Sequence, residues 1–464
     1  MSVDVLLINP ISPVELLSLL FEIPFSLLIL ARALEEKGME VKLLNYPTLT
    51  SWQSDHLKKK ISKLDPKIVG ISLHSAALPQ AIKIAKITKD FSNAKICIGG
   101  PHCNADITFI HRFRNIFDYQ FVGEAEITVP DVFLKILREK KVERKVIFCK
   151  LPKNLDLLPS PAYHLLEKKE RFLVNLSFSR GCPFNCSYCA IQTTMKKLRH
   201  MSVKRSIEEI TYVYESLGSR YFYFQDPNFT IHPKWVSEFT KTLRKEKIDI
   251  KWRAQTRCDL VNLKILKEMG KSGCIGLGFG VESFSPFIQR FINKRMPFNK
   301  IERAIKQTKN CGMDADIFLM IGFPIERKKD LFLNLLGVKK TQPTTLSISF
   351  TTPYPGTKLF HQCGFSDKNN PWDKYALLQG PFPLCKSKYL SVTDYFFFLN
   401  KLSRYPILFG DIFFWNLALL KYAYPFIPTF IQRQLKFFEK SIMKFRETAF
   451  KIATQRIKIQ WDKG

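Results

Sequence analysis

The chain has no apolar run long enough for a membrane-spanning helix, even where aromatics are densest. Pro406, Asp411, Lys421, Pro425 and Pro428 interrupt the segment that follows residue 400. No secretory signal pattern opens the sequence, so its eleven cysteines are expected in a reducing, cytoplasmic setting rather than in a disulfide framework. Their number is odd, and eight of them are scattered. Acidic residues are scarce: 41 Asp and Glu stand against 72 Lys and Arg, a net charge of +31. That surplus suits an anionic partner, whether nucleic acid, anionic lipid or an acidic substrate. A Lys-, Ile- and Phe-rich compositional bias would produce the same surplus together with the 40 phenylalanines. What is plentiful is apolar material, 46% of 464 residues, enough for the cores of two or three domains.

A second close cysteine pair is also missing, and this bears on the one place where cysteines crowd. Cys182, Cys186 and Cys189 follow a strand-like run, Phe172 to Phe178, with the spacing Cys-x3-Cys-x2-Cys. Zinc would require a fourth ligand, and the nearest candidate downstream is a lone His200. Three thiolates in one short loop suit a soft metal centre. An iron–sulfur cube takes four ligands, so three leave one iron open to chemistry.

In the first 140 residues, strand patterns at Val5–Asn9, Val41–Asn45, Lys67–Leu73, Lys95–Gly100 and Asp118–Val122 alternate with helical ones at Phe25–Lys37, Pro79–Lys89 and Glu126–Glu139. This alternation predicts a doubly wound parallel sheet, whose ligands sit at the carboxyl ends of strands. Small and polar residues gather at those ends: Ser72, His74 and Ser75, then Gly99-Gly100-Pro101-His102, then Gly123-Glu124-Ala125-Glu126. Residues 141–171 read as a linker with a short strand at Val146–Cys149.

From 172 onward six strand patterns, at 173–178, 220–225, 250–255, 274–280, 314–320 and 345–350, alternate with helices such as Ser206–Leu217, Pro233–Lys245 and Leu260–Met269. Six units fit a partial (β/α)6 barrel, with active residues at the carboxyl ends of its strands. Those ends carry Gln225-Asp226-Pro227-Asn228-Phe229, then Arg257, then Gly278-Phe279-Gly280-Val281-Glu282-Ser283, then Gly322-Phe323-Pro324, then Thr352-Pro353-Tyr354-Pro355-Gly356. Past residue 385 the pattern turns aromatic and basic: residues 401–464 hold twelve Lys/Arg and four Asp/Glu. Between Phe430 and Ile459 apolar and basic residues interleave at helical spacing. That pattern fits a helix lying in a membrane interface and equally a helical cap on the barrel.

The loop Gly181-Cys182-Pro183-Phe184-Asn185-Cys186-Ser187-Tyr188-Cys189 resembles the signature of the radical SAM superfamily. The resemblance implies a 4Fe-4S cluster on Cys182, Cys186 and Cys189, with S-adenosylmethionine (SAM) chelating the open iron and cleaved to a 5′-deoxyadenosyl radical. It further implies SAM contacts from Tyr188 near the adenine, Gln225 and Asp226 near the amino group, Glu282 and Ser283 at the ribose, and Gly322 and Pro324 in the adenine loop. Gly-Gly-Pro-His, followed by Asp-Tyr-x-Phe-x-Gly-Glu-x-Glu, resembles the cobalamin-binding domain that precedes many radical SAM domains. This implies cobalamin contacts from Ser72, His74, Gly99, Gly100, His102, Gly123 and Glu124. Many cobalamin domains carry Asp-x-His-x2-Gly after the first strand, whose histidine ligates cobalt. Here that position reads Asn9-Pro10-Ile11-Ser12-Pro13.

The expected fold class is therefore α/β. It comprises an N-terminal doubly wound, Rossmann-like cobalamin-type domain (1–140), a linker (141–171), a partial (β/α)6 radical SAM barrel (172–360) and a mainly helical, basic-aromatic region (361–464). The implied activity is methyl transfer to an unactivated carbon of a lipid-like or other small molecule. The same parts would also serve radical cyclisation, ring contraction or oxidation without methylation. A flavodoxin or ferredoxin is the implied electron donor, and peripheral membrane contact is expected through the C-terminal region. The tRNA methylthiotransferases use three extra N-terminal cysteines, whereas this N-terminal domain has only Cys97 and Cys103, so nucleic acid is not the expected partner.

Overall fold

The computed structural model describes residues 3–10, 24–46, 51–166, 173–195, 197–366, 385, 387–402 and 407–409. The interleaved stretch Phe430–Ile459 lies outside them. The first sheet is built from β1 (Val5–Pro10), β2 (Val41–Tyr46), β3 (Ile68–Ser72), β4 (Lys95–Gly99), β5 (Tyr119–Val122) and β6 (Val146–Phe148). Between them run α1 (Phe25–Glu35), α2 (Ser51–Leu64), α3 (Leu78–Phe91), α4 (Pro101–Ala105), α5 (Phe109–Arg112) and α6 (Thr128–Leu137). All pairings are parallel and the order is β2-β1-β3-β4-β5-β6. The order reverses between β1 and β3, which puts a crevice at the carboxyl ends there. Both faces are buried, as a parallel sheet requires: Leu6 and Ile8 pack on one side with Ile84 and Ile96, Val5 and Leu7 on the other with Leu34 and Phe133. The short strand expected in the linker is β6, so this sheet runs past the expected boundary at residue 140. The helical stretch Ser51–Leu64 was not anticipated. Its lysine-rich face weakens the apolar periodicity, although Leu57 and Ile61 are fully buried.

The second half contributes β7 (Leu173–Leu176), β8 (Ser179–Arg180), α7 (Ile191–Thr194), β9 (Arg199–His200), α8 (Val203–Leu217), β10 (Tyr221–Phe224), α9 (Pro233–Lys245), β11 (Lys251–Thr256), α10 (Leu263–Lys271), β12 (Cys274–Glu282), α11 (Pro286–Phe291), α12 (Phe298–Asn310), β13 (Asp314–Ile321), α13 (Lys328–Thr341), β14 (Thr345–Phe350), α14 (Lys358–Gln362), α15 (Val392–Leu402) and β15 (Ile407–Phe409). Seven of these strands form one parallel sheet, β15-β14-β13-β12-β11-β10-β7. The six expected strands are present, and β15 adds a seventh beside β14. β8 and β9 pair antiparallel as a separate hairpin that brackets the cysteine loop.

An aromatic cluster of Phe178, Phe224, Phe229, Trp235, Phe239 and Trp252 fills the β7–β10–β11 side of the core. Trp235 stacks on Phe239 at 4.9 Å. Lower in the barrel, Arg253 is fully buried and paired with Asp314 (3.0 Å) and Asp316. It fits because β12 carries glycine beside it: a Cβ on Gly276 would stand 2.5 Å from the guanidinium. The expectation of no disulfides needs correction, because Cys363 and Cys385 are joined. Sequence spacing did not suggest that pair, since 22 residues separate them. The fold nevertheless brings their Cα atoms to 5.7 Å, within bridging range.

Candidate active site

The cysteine loop leaves β8 through Gly181, where glycine is required. Its φ is +90° and an added Cβ would lie 2.3 Å from the Lys197 carbonyl oxygen. Cys182 is buried, and its sulfur accepts from Asn228 Nδ2 at 3.3 Å. Cys186 and Cys189 are half-buried in the same turn, the Cys189 N–H donating to the Cys186 carbonyl at 3.2 Å. Gln192 donates to the Cys182 carbonyl at 3.0 Å and also to Phe184. Burial pushes the Cys189 thiol up to about 11. Burial raises Cys186 too, while the nearby Lys294 and Arg257 charges pull it back. Metal binding here would release protons from thiols that are otherwise hard to ionise. Among the described residues no trio of His, Cys, Asp or Glu closes on one point as ligands of a single ion would. Thiolates spread around a loop suit a cluster whose irons are ligated separately.

Facing the loop, β12 ends in a bulge that turns Glu282 into the left-handed region, φ +63°. Such strain in a non-glycine residue persists only where surrounding structure enforces it, and it gathers at functional sites. Glu282 Oε1 accepts from the Tyr188 hydroxyl at 2.8 Å and from Lys294 Nζ at 2.8 Å. Gly280 leaves room for them, since a Cβ there would be 2.7 Å from both Glu282 Oε1 and Lys294 Nζ. Burial, then Glu282, holds the Tyr188 phenol well above its usual range, so it remains a donor. Lys294 was not anticipated from the sequence. It sits in the α11–α12 turn between Asn293 and Arg295, both with positive φ. That turn is tied to the cysteine loop: Ser187 N–H donates to the Ile292 carbonyl at 2.9 Å, and Asn293 Nδ2 to the Asn185 carbonyl at 2.9 Å. Gln289 holds the turn from beneath, its amide donating to the Val281 carbonyl while its oxygen accepts from Met296 N–H. Arg257 completes the rim, its guanidinium 3.9 Å from the Phe184 ring centre and bonded to Asp259 at 2.9 Å.

The other expected SAM residues divide by role. Asp226 is buried at the end of β10. Its Oδ1 accepts from Ser179 Oγ and the Phe178 N–H (3.1 Å), and Oδ2 has no protein partner. Burial pushes its carboxyl up to about 6. Gln225 is half-buried and its N–H closes on the Leu176 carbonyl at 2.7 Å. Gly322 (φ +88°) donates to Glu326 Oε2 at 2.6 Å, which shapes the turn that carries half-buried Pro324. Ser283 is fully buried, and its hydroxyl donates to Asn334 Oδ1 at 3.0 Å on α13. The structure therefore uses Ser283 to fasten the end of β12 rather than to face the loop.

At the first sheet's rim the backbone is bare. Gly99 ends β4 and its carbonyl accepts from Leu73 N–H at 2.6 Å. Gly100 adopts φ +110° and ψ −175°, a conformation essentially confined to glycine, and a Cβ added there would stand 3.0 Å from Leu73 N. The Gly123 N–H (φ +107°) donates to Asn104 Oδ1 at 2.6 Å. Ser72 is half-buried and His74 exposed at the end of β3. His102 is buried, bonded to Ser75 Oγ at 2.8 Å, and pushed down to about 4 by burial, so it is a neutral part of the turn. Asn9, at the place of the absent cobalt-ligating histidine, bonds Asn45 at 3.1 Å. These three glycines, at the carboxyl ends of β4 and β5, fit a large flat ligand approached by backbone. Glu124 does not belong with them. Its carboxylate is held by Arg180 (2.5 Å) and Arg199, and Glu126 holds Arg180 at 2.7 Å. The Gly-Glu-x-Glu motif thus clamps the hairpin at both ends of the cysteine loop onto the first domain.

The Radical SAM superfamily matches residues 176–332 and the B12 binding domain matches residues 19–133. An uncharacterised methyltransferase of Pyrococcus horikoshii is 30% identical over 79% of this chain and 84% of its own. The hopanoid C-3 methylase of Methylococcus capsulatus is 24% identical over 73% and 68%. In fold, the chain matches the radical SAM methyltransferase TsrM from Kitasatospora setae with a TM-score of 0.63 at 16% identity, over 78% of this chain and 76% of that one. With both domains matched and a relative at this identity along most of both chains, the protein belongs to the cobalamin-dependent radical SAM methyltransferases, enzymes that work with a 4Fe-4S cluster, SAM and cobalamin.

Proposed function

We propose that this methyltransferase places a methyl group on an unactivated carbon of a lipid-like small molecule. The carrying observation is the junction of Tyr188, Glu282 and Lys294 against Cys186, which sets a strained carboxylate and a buried ammonium beside the open side of the cysteine loop. When bound, cluster and SAM supply a radical able to abstract hydrogen from carbon, and the corrin supplies the methyl group.

Cys182, Cys186 and Cys189 hold the cluster. Lys294 is suited to the SAM carboxylate and the free Asp226 Oδ2 to its ammonium, while Glu282 can exchange its present partners for ribose hydroxyls. Gly322 and Pro324 form the floor of the adenine site. Gly99, Gly100 and Gly123 would hold the corrin by backbone, together with Ser72 and His74.

The lipid-like substrate is supported by the hopanoid methylase relative. The same reading takes a flavodoxin or ferredoxin as electron donor and peripheral membrane contact through the region after residue 385. The test is anaerobic turnover with a triterpenoid hydrocarbon, measuring S-adenosylhomocysteine beside 5′-deoxyadenosine. Both should accumulate with methylated product, and deoxyadenosine without S-adenosylhomocysteine would replace methylation by cyclisation or oxidation.

A further inference from the structure

Two stretches of the barrel's outer wall differ in charge. On α8 and α9 the signs are mixed: exposed Lys204 is followed by Glu208 and Glu215, and Lys241 and Arg244 by Glu246, just past α9. The wall formed by α12, α13 and α15 is different. Every exposed charge on α12 is basic: Lys300, Arg303, Lys306 and Lys309. On α13 the exposed charges are Lys328, Lys329, Lys339 and Lys340, because Asp330 is buried and spent on Ser285 and Arg327. On α15 the exposed charge is Lys401, and half-buried Asp394 pairs with Lys328 at 3.1 Å. The acidic side chains described on these helices are buried Asp330 and the half-buried Glu302 and Asp394, so none stands as far out as the lysines do.

Large apolar side chains stand in the middle of this cationic wall. Phe332 is 56% exposed, Leu336 45% and Phe397 62%. Phe332 and Leu336 lie one turn apart on α13, with lysine pairs a turn away at either end. Lys401 lies over the Phe397 ring at 5.1 Å, so its stem covers part of that surface while its head reaches outward. A soluble surface seldom gathers exposed phenylalanine and leucine inside a field of one sign unless something covers them.

We propose that the α12–α13–α15 face is a docking surface for an anionic lipid bilayer. Phe332, Leu336 and Phe397 would enter the headgroup boundary and the lysines would meet lipid phosphates. The chemistry favours a bilayer over nucleic acid. Eight of the nine exposed basic residues are lysines, not the bidentate arginine that phosphate-backbone and base recognition favours, and Leu336 offers no ring for a base to stack on. It also disfavours a second copy of this chain, because two such walls would repel each other. Of these three helices only α15 belongs to the region after residue 385, and the contact does not depend on what the substrate is.

The test is flotation of the full-length holoenzyme with vesicles of mixed phosphatidylglycerol and phosphatidylcholine, against vesicles of phosphatidylcholine alone, without turnover. The enzyme should float with the anionic vesicles only and be released by high salt. F332S/L336S should lower the partition at least about tenfold. K339E/K340E should lower it by roughly fivefold or more per lysine. These side chains are exposed, so both variants should keep the parent's melting temperature and cluster absorbance. Parent protein that ignores the anionic vesicles, or variants that float as well as the parent, would overturn the proposal. So would retention on RNA that K339E/K340E abolishes while flotation persists. A wrong substrate assignment would leave flotation unchanged, so the two failures can be told apart.

Discussion

The two sheets present their carboxyl ends in opposite ways. The barrel rim is crowded with charged side chains taken out of water, Glu282, Lys294, Arg257 and Asp226, and holds a glutamate in left-handed backbone to do so. The first sheet's rim offers glycine backbone at Gly99, Gly100 and Gly123 and turns its polar side chains elsewhere, His102 inward to Ser75 and Glu124 across to Arg180 and Arg199. The barrel has to grip a small, charged, reactive molecule by specific atoms, and preorganised dipoles and charges do that best in a dry site. The first sheet has to let a broad ligand lie close, so what matters there is the absence of a Cβ. Side-chain removal should therefore hurt one rim, and side-chain addition the other.

The largest effect should come from Cys186→Ala, with iron and sulfide falling and SAM cleavage dropping below detection. The corrin absorbance of the same preparation should persist. Its disappearance would mean that the two rims assemble as one, and the comparison would fail. Next, Lys294→Met should weaken SAM binding roughly ten- to a hundredfold in equilibrium dialysis, since a hydrogen bond between charged groups is worth about 1.5–3 kcal/mol. Combining it with Glu282→Gln should cost less than the sum of the single changes, because the partners are in contact at 2.8 Å. Strict additivity would show that Lys294 acts independently of Glu282. At the other rim, Gly100→Ala should reduce cobalamin affinity about tenfold, given a cost of roughly 1–3 kcal/mol for that backbone conformation. Ser72→Ala should change it less than about twofold. Equal losses in cobalamin titrations would contradict a backbone-built site.

Much of this was legible in the sequence because it depends on short-range pattern. The cysteine spacing, the strand–helix alternation and the glycines at strand ends each depend on a few consecutive residues, and the structure puts all of them at the carboxyl ends. What escaped is what depends on tertiary proximity. Lys294 lies in an Asn-Lys-Arg turn without a motif, and only the folded α11–α12 connection brings it to Glu282. Glu124 carries a motif that pointed to cobalamin, yet its partners Arg180 and Arg199 are 56 and 75 residues away. Ser283 follows Glu282 directly, but the bulge at the end of β12 sends its hydroxyl to Asn334, 51 residues on. The Cys363–Cys385 pair was hidden for the same reason.

The smallest effect concerns stability, and it separates the rims by pH. Glu326, under the Gly322 turn, has its carboxyl pushed up to about 8, chiefly by burial. His102 at the other rim is pushed down to about 4, so it stays neutral from pH 5 to 8. In the unfolded chain a glutamate ionises near 4.5. Between that value and about 8 the folded protein binds a proton that the unfolded chain has released, so stability falls as pH rises through this window. The slope is at most about 1.4 kcal/mol per pH unit, a few degrees of melting temperature for a domain of this size. Glu326→Gln keeps an acceptor for the Gly322 N–H, now 2.6 Å from Glu326 Oε2, and removes the ionisation. Its melting temperature should therefore hold steadier between pH 5 and 8 than the parent's. A His102→Gln variant should lose the rise in stability that the parent's histidine contributes between about pH 4 and 6.5, where the unfolded histidine binds a proton that the folded one does not, so its slope should part from the parent's only below about 6.5. If Glu326→Gln tracks the parent across the window, the carboxyl is ionised in the fold, and burial at the barrel rim is offset by a partner that ordinary side-chain packing does not provide.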